Sequence, residues 1–535
     1  MPDLPLSRRD LFTGALGAGA FFLLPRVARA ELGPEMLGPE EAFSFDSLKE
    51  LARNLAGESF TPMRVADAPT LERIDYDAHG AIRFREDRAL WGGTQDRAPV
   101  HFFYPGRYFK EPVHIYALEG GMAREVRFSN DLFEIPEDNP ARQLDGTEGF
   151  AGFSVQDPEQ RADWMAFLGA SYWRTAGYSG QFGLSARGLA LDTAIADGPE
   201  EFPRFTRFWV ESQPEGAFIA HALLESPRAT GAYRITSHRR HDGVVQDIEA
   251  QVFLRDGVER LGIAPLTSMF WFGKHNQHVS PDWRPEVHDS DGLEIHLGTG
   301  ERLWRPLNNP PQATANSFQA QSPTGFGLMQ RERNFSEYLD DGVFYEKRAS
   351  AWIEPQGDWG DGTVTLIELP TDDEIHDNIV AFWTPAQAAE AGSEFDFAYR
   401  LSWVEDTPVA PEAARYTACR IGAGGVPGQP RPEGVVKVVC DLEPRGFEGL
   451  EPDPEKLLPM VTTSRGEVSL RAAYPVVGAD YWRAIFDLDF SGLPPGDDTP
   501  VDLRVYVDND GTAMTETLVL QLFPSQLRDL LEAST

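Results

Sequence analysis

Phe43, Leu48, Leu51 and Leu55 recur at helical spacing within residues 40–57, EEAFSFDSLKELARNLAG. That spacing predicts one amphipathic helix near the start of the chain. Ser47 followed by Glu50 has the form of a capping box. Beyond this stretch the hydrophobic period shortens to that of a strand. Alternating or β-rich runs recur at HIYAL (114–118), FWVES (208–212), AYRITSHR (232–239) and DIEAQVFL (247–254). More follow at TVTLIEL (363–369), EFDFAYRLSW (394–403), VSLRAAYPV (468–476) and WRAIFDLDF (482–490). Gly, Pro, Asn and Asp separate them, as turns between strands require. Short helical pieces are predicted around 158–168 and 385–391. The pattern is all-β, and large sheets of this kind pack as sandwiches rather than as βαβ units.

EDTPVAPEAA (405–414) is rich in Pro and Ala, carries no strand pattern and reads as a linker. It divides a large β-sandwich (31–404) from a smaller unit (415–531). The smaller unit has roughly seven predicted strands, the size and spacing of an immunoglobulin-like sandwich. Its last hairpin, VDLRVYVDNDGTAMTETLVLQLF, turns at Asn509-Asp510-Gly511.

Hydrophobic residues make up 41% of the 535, with 12 Trp and 34 Phe, enough for a substantial core. Tryptophans in such number also suit stacking on pyranose rings, although any single one is more simply read as core. The net charge of −36 argues against nucleic acid and anionic membrane surfaces as partners and leaves a neutral substrate or a cationic partner open. Cys419 and Cys440 lie in two strand-like runs. They could close one disulfide or stay as buried thiols, and neither has zinc-type spacing. At the start, SRRDLF (7–12), the apolar run LFTGALGAGAFFLLP and ARA (28–30) form a twin-arginine export signal. Cleavage after Ala30 and a periplasmic location are expected. The apolar run is too short to span comfortably, so no membrane insertion is expected.

Function-like residues concentrate between 268 and 383. In HDSDGL (288–293), His288, Asp289 and Asp291 resemble part of a ligand set, with His275, His278, His296 and His376 nearby in sequence. The histidines lack HExxH spacing, and the calcium-loop pattern that DSDG begins is not completed. There is no G-x-S-x-G and no phosphate loop, so no cofactor is implied. Glycoside chemistry remains, which needs one carboxyl to protonate the leaving oxygen and, in an inverting enzyme, a second to activate water. Asp289 and Asp291 lie on one predicted loop; Asp372, Asp373, Glu374 and Asp377 lie on another. Asp377 precedes the apolar run NIVAFW, and a carboxyl at the mouth of an apolar wall is suited to hold a proton. Taken singly, each acid reads more simply as a cap or turn.

Five segments change that balance. They are HDSDGLEIHLGTGERLWRPLNNP, NFSEYLDDGVFYEKRASAWIEP, GDWGDGTVTLIELPTDDEIHDNIVAFWTP, LGASYWRTAGYSGQFGLSARGLALDTA and EEFPRFTRFWVE. In content and order they resemble the osmoregulated periplasmic glucan biosynthesis proteins of the G and D type. The twin-arginine signal is more similar to the D type. The resemblance implies a galactose-mutarotase-like N-terminal sandwich, an immunoglobulin-like C-terminal domain and an inverting endo-β-1,2-glucanase. By that analogy Asp377 matches the general acid, and Asp289 the carboxylate that draws a proton from water through a relay. Glu374 lies beside the acid, and Tyr345 is a candidate relay or substrate contact. Arg348-Ala349-Ser350 departs from the Arg-Pro-Ser usual in that family. Arg284, Arg305, Arg348, Trp304, Trp352, Trp359 and Trp383 are candidates for sugar contact, with His288 and Asp291 orienting Asp289 or a sugar hydroxyl. For these Trp and Arg residues, core packing and structural ion pairs compete evenly with sugar contact, and for Trp383 core packing is the stronger reading. Arg187 is expected in a structural ion pair. The partners implied are a β-1,2-linked glucan and an inner-membrane glucan synthase. A glucan-binding scaffold and a glucan transglycosylase stand as alternatives to hydrolysis.

Overall fold

The computed structural model describes residues 32–532 apart from 95, 160, 161, 196, 197, 427 and 495, so the expected export signal lies outside the described residues. One sheet of 16 strands and one of ten carry most of the chain. In the wide sheet Arg204–Ser212, Ala217–Glu225, Ala229–Arg240, Gly243–Leu254 and Glu394–Val404 lie side by side. Ser350–Gln356, Gly325–Met329, Gly292–His296 and Arg302–Pro306 continue it. The ten-stranded sheet places Asp361–Glu368, Ile379–Pro385, Leu261–Ser268, Ser185–Arg187 and Tyr172–Thr175 in that order. Phe153, Met165, Trp173 and Leu266 from one sheet meet Phe208, Ile235, Ile248 and Leu401 from the other in a single core. The indoles of Trp173 and Trp403 both donate to Gln246 Oε1, at 2.9 and 2.8 Å, which satisfies their N–H groups inside an apolar layer.

The all-β expectation holds, and each of the eight runs quoted above forms a strand. The early helix is Phe45–Ala56, and its cap is Ser44 rather than Ser47. Ser44 is extended and its side chain accepts the Ser47 N–H at 3.1 Å, while the Ser47 hydroxyl accepts the Ser44 N–H at 3.1 Å. Residues Leu37–Ala42 form an edge strand paired with Met122–Val126. Leu48 and Ala52 pin the helix onto Trp209, Leu223 and Phe253 of the wide sheet.

Among the described residues neither of the short helices predicted later is formed. Asp163–Leu168 is a strand held between Gly152–Gln156 and Tyr172–Thr175, a case of sheet pairing overriding local propensity. After strand Ile379–Pro385 the chain turns, and the Ala389 carbonyl accepts the Val258 N–H at 2.8 Å. A run that short cannot repay helix nucleation on its own.

After residue 414, Tyr416–Ala423, Val435–Leu442, Trp482–Asp489 and Glu467–Pro475 form a four-stranded sheet. Leu457–Thr463, Val501–Asn509 and Thr517–Leu522 instead extend the wide sheet, because Thr517–Leu522 runs parallel to Arg302–Pro306. Asp510 and Gly511 both have positive φ, 52° and 89°, as a two-residue hairpin turn demands. Cys419 and Cys440 sit directly opposite each other on neighbouring strands as buried free thiols, with Sγ atoms 3.0 Å apart.

Arg331 ties the end of the wide sheet to the C-terminal strands. Its guanidinium lies 3.6 Å from the Trp304 ring centroid and donates to Glu294 at 2.9 Å, to Glu516 at 2.6 and 3.0 Å, and to the Tyr416 carbonyl at 3.1 Å. Arg331→Ala strands two buried carboxylates and is expected to cost about 3–5 kcal/mol, read as a lower urea midpoint. A loss below about 1 kcal/mol, typical of an exposed pair, would show that the junction does not depend on this charge.

Candidate functional site

Asp377 ends the loop that leads into strand Ile379–Pro385, beside an open cleft of about 520 Å³ lined by Asn309, Thr371, Asp372, His376, Asp377 and Gln526 among others. Its side chain is 21% exposed, with the buried Arg174 guanidinium 3.9 Å away. Two asparagines hold this loop. Asn309 donates to the Thr371 carbonyl at 2.7 Å and accepts its N–H at 2.9 Å. Asn378 accepts the Phe270 N–H and donates to the Phe270 and Leu369 carbonyls, all at 2.9 Å. Below the loop, Arg305 pairs with Glu368 at 2.9 Å, and Glu368 also accepts the Asn308 N–H at 2.6 Å.

Phe270 is the link to the second acid. It pairs with His288 in a short two-stranded ribbon, and the Met269 carbonyl accepts the Asp289 N–H at 2.9 Å. The acid loop and HDSDGL are therefore bonded to adjacent residues of one segment. Asp289 is wholly buried, and its carboxylate is paired with Arg348. The Arg348 guanidinium lies 4.3 Å from the Tyr345 ring centroid. The Tyr345 hydroxyl donates to Glu374, whose same oxygen accepts from Arg284 at 2.9 Å. Arg284 also holds Asp282 at 3.0 and 3.1 Å and Asp340 at 2.7 Å. Asp289, Arg348, Tyr345, Glu374 and Arg284 thus form one chain of contacts. Gly183 leaves room for it, since a Cβ there would come within 3.0–3.1 Å of Arg348 side-chain carbons. Ala349 packs on Gly177, where φ is +55° and an added Cβ would lie 2.4 Å from that of Ala349.

His288 is held by neighbouring side chains, and Asp291 by the surrounding backbone. The His288 ring is held at both nitrogens, by Gln330 at 2.9 Å and Glu286 at 3.1 Å. Gln330 is oriented in turn by donating to the His288 and Tyr345 carbonyls, both at 3.2 Å. Asp291 accepts the backbone N–H groups of Arg331 and Glu332 at 2.9–3.1 Å, although burial pushes its carboxyl upward. Glu286, Glu332 and Glu337 come close enough together to suggest a cation site. The Lys274 ammonium already bridges them, pairing with Glu286, with Glu332 at 2.9 Å and with Glu337 at 3.3 Å. Burial alone would push Glu286 up; its hydrogen bond to His288 and the charges of His288 and Lys274 outweigh that and hold it at about 2.

The expected sugar-contacting arginines and tryptophans separate into three sets. Arg284 and Arg348 lie in the acid network just described. Arg305 is buried on Glu368, Trp304 lies under Arg331, and Trp352 and Trp383 are buried core rings, so these four present no face to a ligand. Trp359 is half-buried and donates to the Ala398 carbonyl at 3.1 Å. Arg187 makes the expected ion pair, with Glu200 at 2.6 Å. Arg174, Asn378 and Gln330 were not singled out from sequence; YWRT, HDN and LMQ carry no chemical signature.

The family model described as periplasmic glucan biosynthesis protein, MdoG, matches residues 43–522. The chain belongs to this family. Glucans biosynthesis protein D 2 of Ralstonia nicotianae is 44% identical, over 92% of each chain. Probable glucans biosynthesis protein D of Shewanella oneidensis is 42% identical, over 92% of this chain and 90% of that one. Glucans biosynthesis protein D of Xanthomonas oryzae pv. oryzae is 39% identical, over 97% of this chain and 98% of that one. The D-type assignment within the family fits these relatives. Among solved structures, a galactose mutarotase related enzyme from Lactobacillus acidophilus overlays 49% of this chain and 94% of its own, at 10% identity and a TM-score of 0.21. Among the described residues no helix is long and apolar enough to cross a membrane.

In this family member the charge network around His288 should set part of the acid sensitivity. A carboxyl held at about 2, below the ordinary 4.5, contributes stability that is complete above pH ~4.5 and lost as pH falls toward 2. Glu286→Gln is expected to flatten the fall of the thermal midpoint across that window. An unchanged slope would show that Glu286 is not held down in the folded state.

Proposed function

We propose that this periplasmic glucan biosynthesis family member is an inverting endo-β-1,2-glucanase, exported by the twin-arginine route, that trims or shapes the glucan backbone. The observation that carries this reading is the joint anchoring of the two acids. Asn378 and the Asp289 N–H bond to neighbouring residues of the 269–270 segment, while Asp377 faces an open cleft and Asp289 is buried. That asymmetry suits two different tasks.

In this reading Asp377 gives its proton to the glycosidic oxygen as the C–O bond breaks. Water attacks the anomeric carbon from the opposite face, and its proton passes through a hydroxyl relay to Asp289. The burial of Asp289 is the reason a relay is required. Tyr345, fixed by Glu374 and lying against Arg348, is the side chain best placed to orient that relay or a sugar hydroxyl. Arg284 and Arg348 hold the neighbouring carboxylates of Glu374 and Asp289 in place.

The family's description and the names of its relatives support a second reading. All name biosynthesis, which suits a glucan-binding scaffold acting with an inner-membrane synthase, or a transglycosylase handing glucan to a sugar acceptor. Incubating the chain without residues 1–30 with linear β-1,2-glucan and following chain length separates these. Hydrolysis is expected, with Asp377→Asn slower by at least about 10²-fold. Equal rates in the variant would remove Asp377 from the acid role. Binding without cleavage by the unmutated chain would favour the scaffold, and products longer than the substrate would favour transfer.

A further inference from the structure

We propose that Trp283 is a stacking platform for a glucose ring of the glucan chain, at the rim of the site described above; the inference rests on the proposed glucan reading. Of the 12 tryptophans, all among the described residues, nine are buried and Trp271 and Trp359 are half-buried, but Trp283 is 73% exposed. Leaving an indole in water forgoes the stabilisation that its burial would bring.

Its backbone is nevertheless firmly held. Asp282 accepts the Arg284 N–H at 2.9 Å and its guanidinium at 3.0 and 3.1 Å, and the Asp282 N–H donates to Ser280 at 3.2 Å. The same guanidinium reaches Asp340 and Glu374. The facing loop is fixed at Asp340, and just before it Leu339 is 41% exposed with φ +57°, an unfavourable backbone for a branched side chain. Phe335, 44% exposed, accepts the Leu339 N–H through its carbonyl at 2.8 Å. Two loops joined through the Arg284–Asp340 pair therefore carry Trp283, Leu339 and Phe335 outward, while Glu374 connects the same pair to Tyr345.

A flat apolar face beside fixed carboxylates and a guanidinium matches a pyranose, which offers C–H groups on one face and hydroxyls at its edge. The chain's charge of −36 disfavours an anionic occupant, and a second copy would bring equal repulsion. A neutral glucan incurs neither.

The test uses the chain without residues 1–30 carrying Asp377→Asn, so that glucan is bound rather than consumed, and titrates it calorimetrically with linear β-1,2-glucan. Adding Trp283→Ala should weaken binding roughly three- to tenfold, and Trp283→Phe should restore most of it. The thermal midpoint should not move, because the side chain is exposed. Equal affinity with and without Trp283 overturns the platform and leaves the acid assignments standing. A change in sedimentation without a change in glucan affinity also overturns it, in favour of a contact between copies. No binding by the Trp283-containing parent overturns both the platform and the glucan reading.

Discussion

The site depends on the carboxamide of Asn378. Its oxygen accepts one backbone N–H, and its NH2 group donates to two carbonyls from different segments, 270 and 369. A buried amide with these bonds made is stable in one orientation, whereas an unmade one costs the desolvation of the group. Asp377 is the preceding residue and inherits that fixity while its side chain remains at the cleft. Through Met269 the same segment fixes Asp289. Two acids about ninety residues apart in sequence thus become parts of one structure by backbone hydrogen bonds rather than by contact with each other.

The second constraint is electrostatic. In a chain with net charge −36, the buried cations are not spread evenly. Arg187 pairs with Glu200 elsewhere, whereas Arg174, Arg284, Arg305, Arg331, Arg348 and the largely buried Lys274 lie in or beside the candidate site, each facing at least one carboxylate. Replacing such pairs by apolar residues often leaves stability unchanged, so their clustering here is better understood as positioning than as adhesion. Asp291 illustrates a different solution, with its carboxylate held by backbone amides and kept away from the cleft.

Much of the β architecture was legible, because strand periodicity survives wherever one face is buried. The failures have physical causes. Residues 163–168 read as helical from local pattern, but neighbours on both sides pull them into a sheet. Ser47 reads as the cap from sequence, but Ser44 can cap equally well, and the extended backbone at Ser44 decides. The site was less legible. Resemblance singled out the acid segments, yet periodicity could not distinguish Trp352 and Trp383, which are buried, from Trp283, which is not. Whether a Trp beside charged residues faces core or solvent is decided by long-range packing. Asn378 and Gln330 escaped notice for the same reason, since an amide side chain has no signature until its partners are known.

The most direct test of the two-acid account is the anomeric configuration of the new reducing end, followed by proton NMR in the first minutes after the chain meets linear β-1,2-glucan. Water activated on the side opposite the Asp377-protonated oxygen inverts the centre, so the α-anomer should appear first and then mutarotate. A β-anomer appearing first would require a covalent intermediate on the enzyme and would contradict the assignment of Asp289 as the acceptor of a proton from water.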